Sequence, residues 1–283
     1  MIVARFGDTW QNAYRLGLLE AEETDEVQRS PTLQEVGGAH GAFDFSAASP
    51  WPLKPKEINR TFSVASETFQ GIDKAVEELK GALLGVGRSK VWGVLRDGST
   101  RRWAWGKCAS LSTRETRGQY FSKSVTARFL MPEGVWYGET QNVIAQTSAY
   151  AAVGDTQWSV QYRGNLPAPY KATFSRVNST HSTDQIIFQN LTNLNYWSFN
   201  PASSNVGTVH VDSGAFSVIY YAPDDELSPI NAYTSLTLGT PPNTSGPLWH
   251  WLVPGNNDLR VQWVTASGTS DMVVTLTWYD LFL

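Results

Sequence analysis

Four histidines and one cysteine are the metal-ligating and nucleophilic candidates of this 283-residue chain: His40, His181, His210, His250 and Cys108. No two histidines stand at HxH or HExxH spacing and there is no CxxC pair, so no metal site is predicted. A single cysteine allows no intrachain disulfide, and Cys108 reads as a small buried hydrophobe. GxSxG, GxxxxGK[ST] and GxGxxG are all missing from the sequence, which removes the matching hydrolase, phosphate-binding and dinucleotide readings; no cofactor is expected. Glycoside hydrolysis needs two facing carboxylates. The candidates are Asp212, Asp224, Asp225, Glu226, Asp258 and Asp271, mostly in turn contexts such as APDDELSP and PGNND. Asp in such contexts ordinarily bonds its own turn, so no catalytic residue is assigned.

Aromatic residues are the other chemistry on offer. LWHWLVPGNNDLRVQW (248–263) holds three tryptophans, and the chain has 12 in all. Flat rings exposed together could stack on a sugar. Rings alternating along a strand belong to a core. Trp249 and Trp251 are two apart and share a strand face, as do Leu259, Val261 and Trp263 after the PGNN turn. The pattern predicts a hairpin with core tryptophans. A glycan-binding alternative requires Trp197, Trp249 and Trp251 to be exposed together.

The elements that position these residues are mostly strands. In the first half, AYRLGLLE (13–20), INRTFSV, the Trp103/Trp105 segment and KSVTARFLM (123–131) read as strands, with Arg96-Asp97-Gly98 as a turn. EAEETDE (20–26) reads as a solvated loop or part of a long hairpin. One helix is predicted over 68–87, because Ile72, Val76, Leu79 and Leu83 form an apolar stripe and Gly85 or Gly87 ends it. The second half shows eight or nine short strands, the pattern of a β-sandwich or jelly roll. Residues 1–137 hold 18 of the 22 basic and 16 of the 26 acidic residues. That leaves four basic against ten acidic in the rest. The shift predicts two domains meeting near Trp136 to Asn142. Net charge is −4 and the charged fraction 17%. This does not suit a general nucleic-acid binder. The first ten residues lack a secretory pattern, and no stretch has the length of a membrane span.

VHVDSG (209–214), the PGNN stretch and VVTLTWYDLFL together resemble the C-terminal β-sandwich of siphophage distal tail proteins. Asp212, Trp251, Leu252, Pro254, Gly255, Asn256 and Leu259 carry the likeness, with LPAPYKATFS (166–175) similar to an early strand. The first half matches in order: GGAHG, a proline-containing segment, the helix, a Trp-rich hairpin and the exit KSVTARFLMPEGVWYG. The resemblance implies a mainly β protein. Its residues 1–138 would be a tail-tube-like β-barrel or sandwich with one packed helix. Residues 139–283 would be a galectin-like or jelly-roll β-sandwich. It further implies a non-enzymatic virion protein, assembled in a host cytoplasm. The first domain would form a homohexameric ring between the tail tube protein above and the tail hub below. Peripheral receptor-binding or fibre proteins would attach to it, no membrane would be involved, and DNA would pass the lumen without specific binding. Carboxylates suit such a lumen, so Glu20, Glu22, Glu23, Asp25 and Glu26 are expected at the lumen or next ring.

Overall fold

The computed structural model describes residues 2–6, 9–10, 17–23, 33–35, 42–44, 55–95, 99–115, 122–147, 153–176, 183–200, 207–215, 217–222, 225–239, 251–265 and 272–283. The chain divides into two compact units. One comprises Met1–Thr32, Trp51–Glu139 and Leu283; the other comprises Leu33–Pro50 and Thr140–Phe282.

In the first unit β1 (Ile2–Phe6), β2 (Thr9–Trp10) and β3 (Gly17–Glu23) come first in the chain. The short strands β4 (Leu33–Glu35) and β5 (Ala42–Asp44) pair with each other and group with the second unit. Then follow β6 (Lys56–Ala65), α1 (Phe69–Leu84), β7 (Ser89–Val94), β8 (Arg101–Glu115), β9 (Ser122–Met131) and β10 (Trp136–Gly138). The antiparallel sheet runs β2-β1-β7-β8-β9-β6-β3, with β10 also beside β8. It is an open path among the described residues, so the barrel alternative is not realised; β2 and β3 stand at its ends.

Alternation builds this sheet. Ile58, Arg60, Phe62 and Val64 of β6 and Val125, Ala127, Phe129 and Met131 of β9 are buried, while their neighbours are more exposed. Helix α1 packs against β8, β6 and β9 and buries Ile72, Val76, Leu79 and Leu83, the predicted stripe. Thr68 caps its N-terminus, its hydroxyl accepting from the Gly71 N–H at 3.1 Å. Gly85 N–H closes the other end on Gly81 O at 3.0 Å.

The second unit has two sheets. Its strands are β11 (Asn142–Thr147), β12 (Val153–Tyr162), β13 (Tyr170–Arg176), β14 (Thr183–Asn190), β15 (Asn195–Phe199) and β16 (Thr208–Asp212). They continue with β17 (Ser217–Ala222), β18 (Asp225–Asn231), β19 (Leu236–Gly239), β20 (Gly255–Thr265), β21 (Met272–Trp278) and β22 (Leu281–Phe282). A six-stranded sheet runs β11-β21-β13-β16-β17-β18 and a five-stranded one β12-β20-β14-β15-β19. They face each other as a sandwich. Phe174 of one sheet lies edge-on to Phe188 and Trp197 of the other, at 5.6 and 5.1 Å between ring centres.

Two expectations are corrected here. The predicted hairpin does not form, because β20 pairs with β12 and β14. The described part of the preceding segment contributes only the bridge Ala168↔Leu252. APDDELSP is not wholly a turn: Asp225 begins β18, an edge strand that tolerates Pro229 because a proline there costs no ladder bond. GGAHG and the Arg96-Asp97-Gly98 turn lie outside the described residues, although β7 and β8 pair as a hairpin around the latter.

Candidate interaction surfaces

The tryptophans decide the sugar question first raised by the sequence. Trp197 is 0% exposed and Trp251 2%. The Trp197 indole N–H donates to Tyr170 Oη at 3.0 Å across the sandwich, so its polar atom is also satisfied inside. Neither ring can stack on a ligand. Trp249 lies outside the described residues. Trp197 and Trp251 are core, as the alternation predicted, and the alternative of a glycan platform that includes them does not hold.

The PGNN segment is pinned by a buried amide. Asn257 is 0% exposed. Its Oδ1 accepts from Val253 N–H and Asn190 Nδ2, both at 2.9 Å, and its Nδ2 donates to Val253 O at 2.8 Å and Gly255 O at 3.2 Å. Asn190 Nδ2 also reaches Trp251 O at 3.1 Å. Gly255 sits at φ +98°, where a side chain would be strained. Asp212 is likewise a turn residue: its Oδ1 accepts from Gly214 and Ala215 N–H, both at 3.0 Å, closing the β16–β17 hairpin. Asp258 accepts from Ser159 Oγ at 2.6 Å. Asp224 and Asp271 lie outside the described residues.

The acidic run is partly strand. Glu20 and Glu22 stand opposite Thr61 and Asn59, and Ala21 and Glu23 opposite Arg60 and Ile58. Arg60 and Ile58 are fully buried, whereas Asn59 and Thr61 are half-buried. Asp25 and Glu26 lie outside the described residues.

Two further surfaces were not singled out from sequence. In the first unit, Trp92, Trp103 and Tyr137 are register partners across β7, β8 and β10. Tyr137 stacks on Trp103 at 4.4 Å, and Lys90 Nζ lies 4.1 Å from the centre of the Trp103 ring. Arg88 sits 5.3 Å over Trp105 and pairs with Glu133, which accepts from Tyr137 Oη at 2.6 Å. Burial and that carboxylate push the Tyr137 phenol well above its ordinary range. The cations are already engaged by rings and carboxylate within the unit.

In the second unit, the outward face of the five-stranded sheet is polar. Gln157, Arg260, Gln189 and Tyr196 are successive register partners across β12, β20, β14 and β15. Arg260 Nε donates to Asp155 Oδ1 at 2.8 Å and its Nη2 to Asp155 Oδ2; Gln262 Nε2 adds a 3.5 Å contact. The guanidinium holds the Asp155 carboxyl below its usual range.

No family model matches the chain, and no curated protein matches it by sequence. Solved structures do match. The Dit protein of SPP1, described as a paradigm of the hub adsorption apparatus in phages infecting Gram-positive hosts, aligns over 100% of both chains. Its TM-score is 0.60 at 13% identity. The chain has the fold of the SPP1 Dit protein. Structures of the phage P2 baseplate in its activated conformation, with Ca and with Sr, align more weakly. Each covers 94% of this chain and 92% of theirs at 8% identity, with TM-scores of 0.43 and 0.44.

Within this Dit fold the residues that carried the sequence resemblance have physical duties. Asp212 closes a hairpin, Trp251, Leu252 and Leu259 are core, and Gly255 turns the chain into β20. The exposed Asn256 donates to Asp258 Oδ1 at 3.0 Å, whereas the buried anchor of the segment, Asn257, was not among them. At the C-terminal strand, Leu281 N–H donates to Tyr162 Oη at 2.9 Å while that hydroxyl donates to Leu166 O at 2.6 Å. These are residues of folding, not of ligand contact. Their spacing was legible because turns and cores have sequence rules. The outward amide row has none, since its members are brought together only by strand register.

Proposed function

We propose that the chain is a structural component of a phage tail, a distal tail adaptor without enzymatic activity, found in the virion. The observation that carries this reading is the end-to-end fold correspondence with the SPP1 Dit protein over 100% of both chains. The open sheet supports it physically. Among the described residues β2 and β3 end the sheet path, and free strand edges are a means by which copies add to one another. Closed cyclic symmetry with head-to-tail contacts converts such an element into a ring. In this reading residues 1–138 form the ring domain and residues 139–283 project from it. The ring is a homohexamer between the tail tube above and the hub below. Glu20 and Glu22 face the lumen, through which DNA passes unbound; peripheral proteins attach outside.

The test is the assembly state of the purified full chain by light scattering, with negative-stain images, alone and with tail tube protein. Rings of about 188 kDa, six copies of 31.3 kDa, are the expected species. A monomer that stays monomeric in the presence of tube protein overturns the adaptor reading.

A further inference from the structure

Among the described residues the two sheets of the sandwich end on the strands β11, β18, β12 and β19. An edge strand presents a row of unmet N–H and C=O groups, and proteins ordinarily guard it with charge, proline or shortness. Three of these edges are guarded in that way. β18 carries Asp225, Glu226 and Pro229, β12 carries Asp155, and β19 has only 4 residues. β11, with the sequence NVIAQT, has none of these devices. The chain around it is uncharged and free of proline from Thr140 to Gly154. Val143 on this strand is 61% exposed.

Every residue of β11 pairs with β21, on one side of the strand. Antiparallel partners point to the same side of a sheet, so β21 sorts the residues of β11. Asn142, Ile144 and Gln146 stand opposite the buried Trp278, Leu276 and Val274 and point inward. Val143, Ala145 and Thr147 point outward and are exposed. Ile144 is only half-buried, although its partner Leu276 is 0% exposed. Among the described residues the apolar layer is therefore unfinished at this edge.

We propose that β11 is a self-pairing edge, completed by the β11 of a second copy of this chain, antiparallel, about a two-fold axis at Ile144. In this register Ile144 meets Ile144 of the second copy, Val143 meets Ala145 and Asn142 meets Gln146. Apolar residues then face apolar ones and amides face amides, and the two six-stranded sheets become one. An axis at Ala145 sets Ile144 against Gln146 and loses that match. An axis between two residues sets inward positions against outward ones. The two-fold axis also accounts for the lack of charge. It brings each edge charge beside its own copy, where like charges repel. A strand from a different protein imposes no such condition, since it can bring the opposite charge. The contact lies in the second unit and does not rest on the ring reading. Residues 142–146 make a small contact beside a standard interface of about 1,600 Å², so it forms as concentration rises.

Light scattering of the full chain over about 1–200 µM reads the pairing, a range suited to small interfaces. The mass should double across the series, from monomer or from ring alike. Ala145→Lys should need at least about ten-fold more protein to double, because two lysines then flank the axis. Ser228→Lys, at an exposed position on the guarded edge β18, should double as the parent does. Cross-linking gives a second reading that does not depend on an added charge. Val143→Cys and Ala145→Cys chains, mixed with a mild oxidant, should cross-link to each other faster than either does to itself, since only unlike positions are opposed. The remaining thiol, Cys108, is buried. A mass that stays constant across the series overturns the proposal. So does doubling that survives Ala145→Lys or is lost in Ser228→Lys, or cross-linking as fast within each variant as between them. If the ring reading alone fails, the doubling runs from 31.3 kDa to about 63 kDa; if pairing alone fails, the mass stays at that of the ring.

Discussion

At the scale of single residues, the decisive ones are buried amides and glycines whose work is invisible until the chain folds. Asn257 uses both ends of its amide four times within the PGNN segment and Asn190. Its replacement by Ala removes the partner of the half-buried Val253 N–H and C=O and leaves the buried Asn190 Nδ2 with Trp251 O alone. Asn257→Ala should therefore cost about 2–4 kcal/mol, several times the net worth of one hydrogen bond. Urea denaturation with an unchanged m-value would report it; a loss under about 1 kcal/mol would mean that another group holds the segment. The sequence marked PGNN as a turn but could not distinguish which asparagine turns inward. Burial distinguishes them: Asn257 is buried and Asn256 exposed. Arg60 was equally hidden. An arginine within INRTFSV reads as an outward polar residue, yet it occupies the buried face between Ile58 and Phe62, where Arg60 Nη1 donates to Asn59 O at 2.9 Å.

At the scale of elements, legibility followed periodicity. The stripe Ile72, Val76, Leu79 and Leu83 repeats at helical spacing over about three turns, so the buried face could be read from the chain and the C-terminal end narrowed to Gly85 or Gly87. Thr68 has the side chain and the extended backbone, φ −136° and ψ 152°, of an N-cap. Thr68→Ala should cost about 1 kcal/mol. The helix carries no acidic residue in its first turn to compensate. Thermal unfolding should show the loss, and Thr68→Ser should restore most of it; no difference between the two variants would remove the capping role. Strands were legible where they alternate over five or more residues, as in β9 and β21, whose buried positions recur at every second residue. They were illegible where the ladder sets the assignment. β11 has no fully buried position and β18 contains a proline, so neither gives an alternating signal. The stretch before the PGNN turn read as one arm of a hairpin, but both edges of β20 are taken by β12 and β14, and of the described residues there Leu252 forms only a bridge with Ala168.

At the scale of the whole molecule, strand register makes the distribution of charge a statement about assembly. The first half of the chain carries most of the charge, and its acidic run begins on β3, an end strand of the open sheet. Composition alone treats the five acids as one patch. Register places Glu20 and Glu22 opposite Thr61 and Asn59, and Glu23 opposite Ile58. The half-buried Asn59 and Thr61 mark the surface in question. If that surface lines a ring, two carboxylates per copy repeat around the lumen and repel phosphate, letting duplex DNA pass. Reversing their sign should turn passage into retention. Preassembled rings of the Glu20→Lys/Glu22→Lys variant should hold linear duplex DNA, with an affinity that falls steeply as salt rises. They should not hold closed circles of the same sequence, which have no end to thread. Equal retention of linear and circular DNA would place the acidic strand on the outside of the ring, and would reassign it to contacts with neighbouring tail proteins.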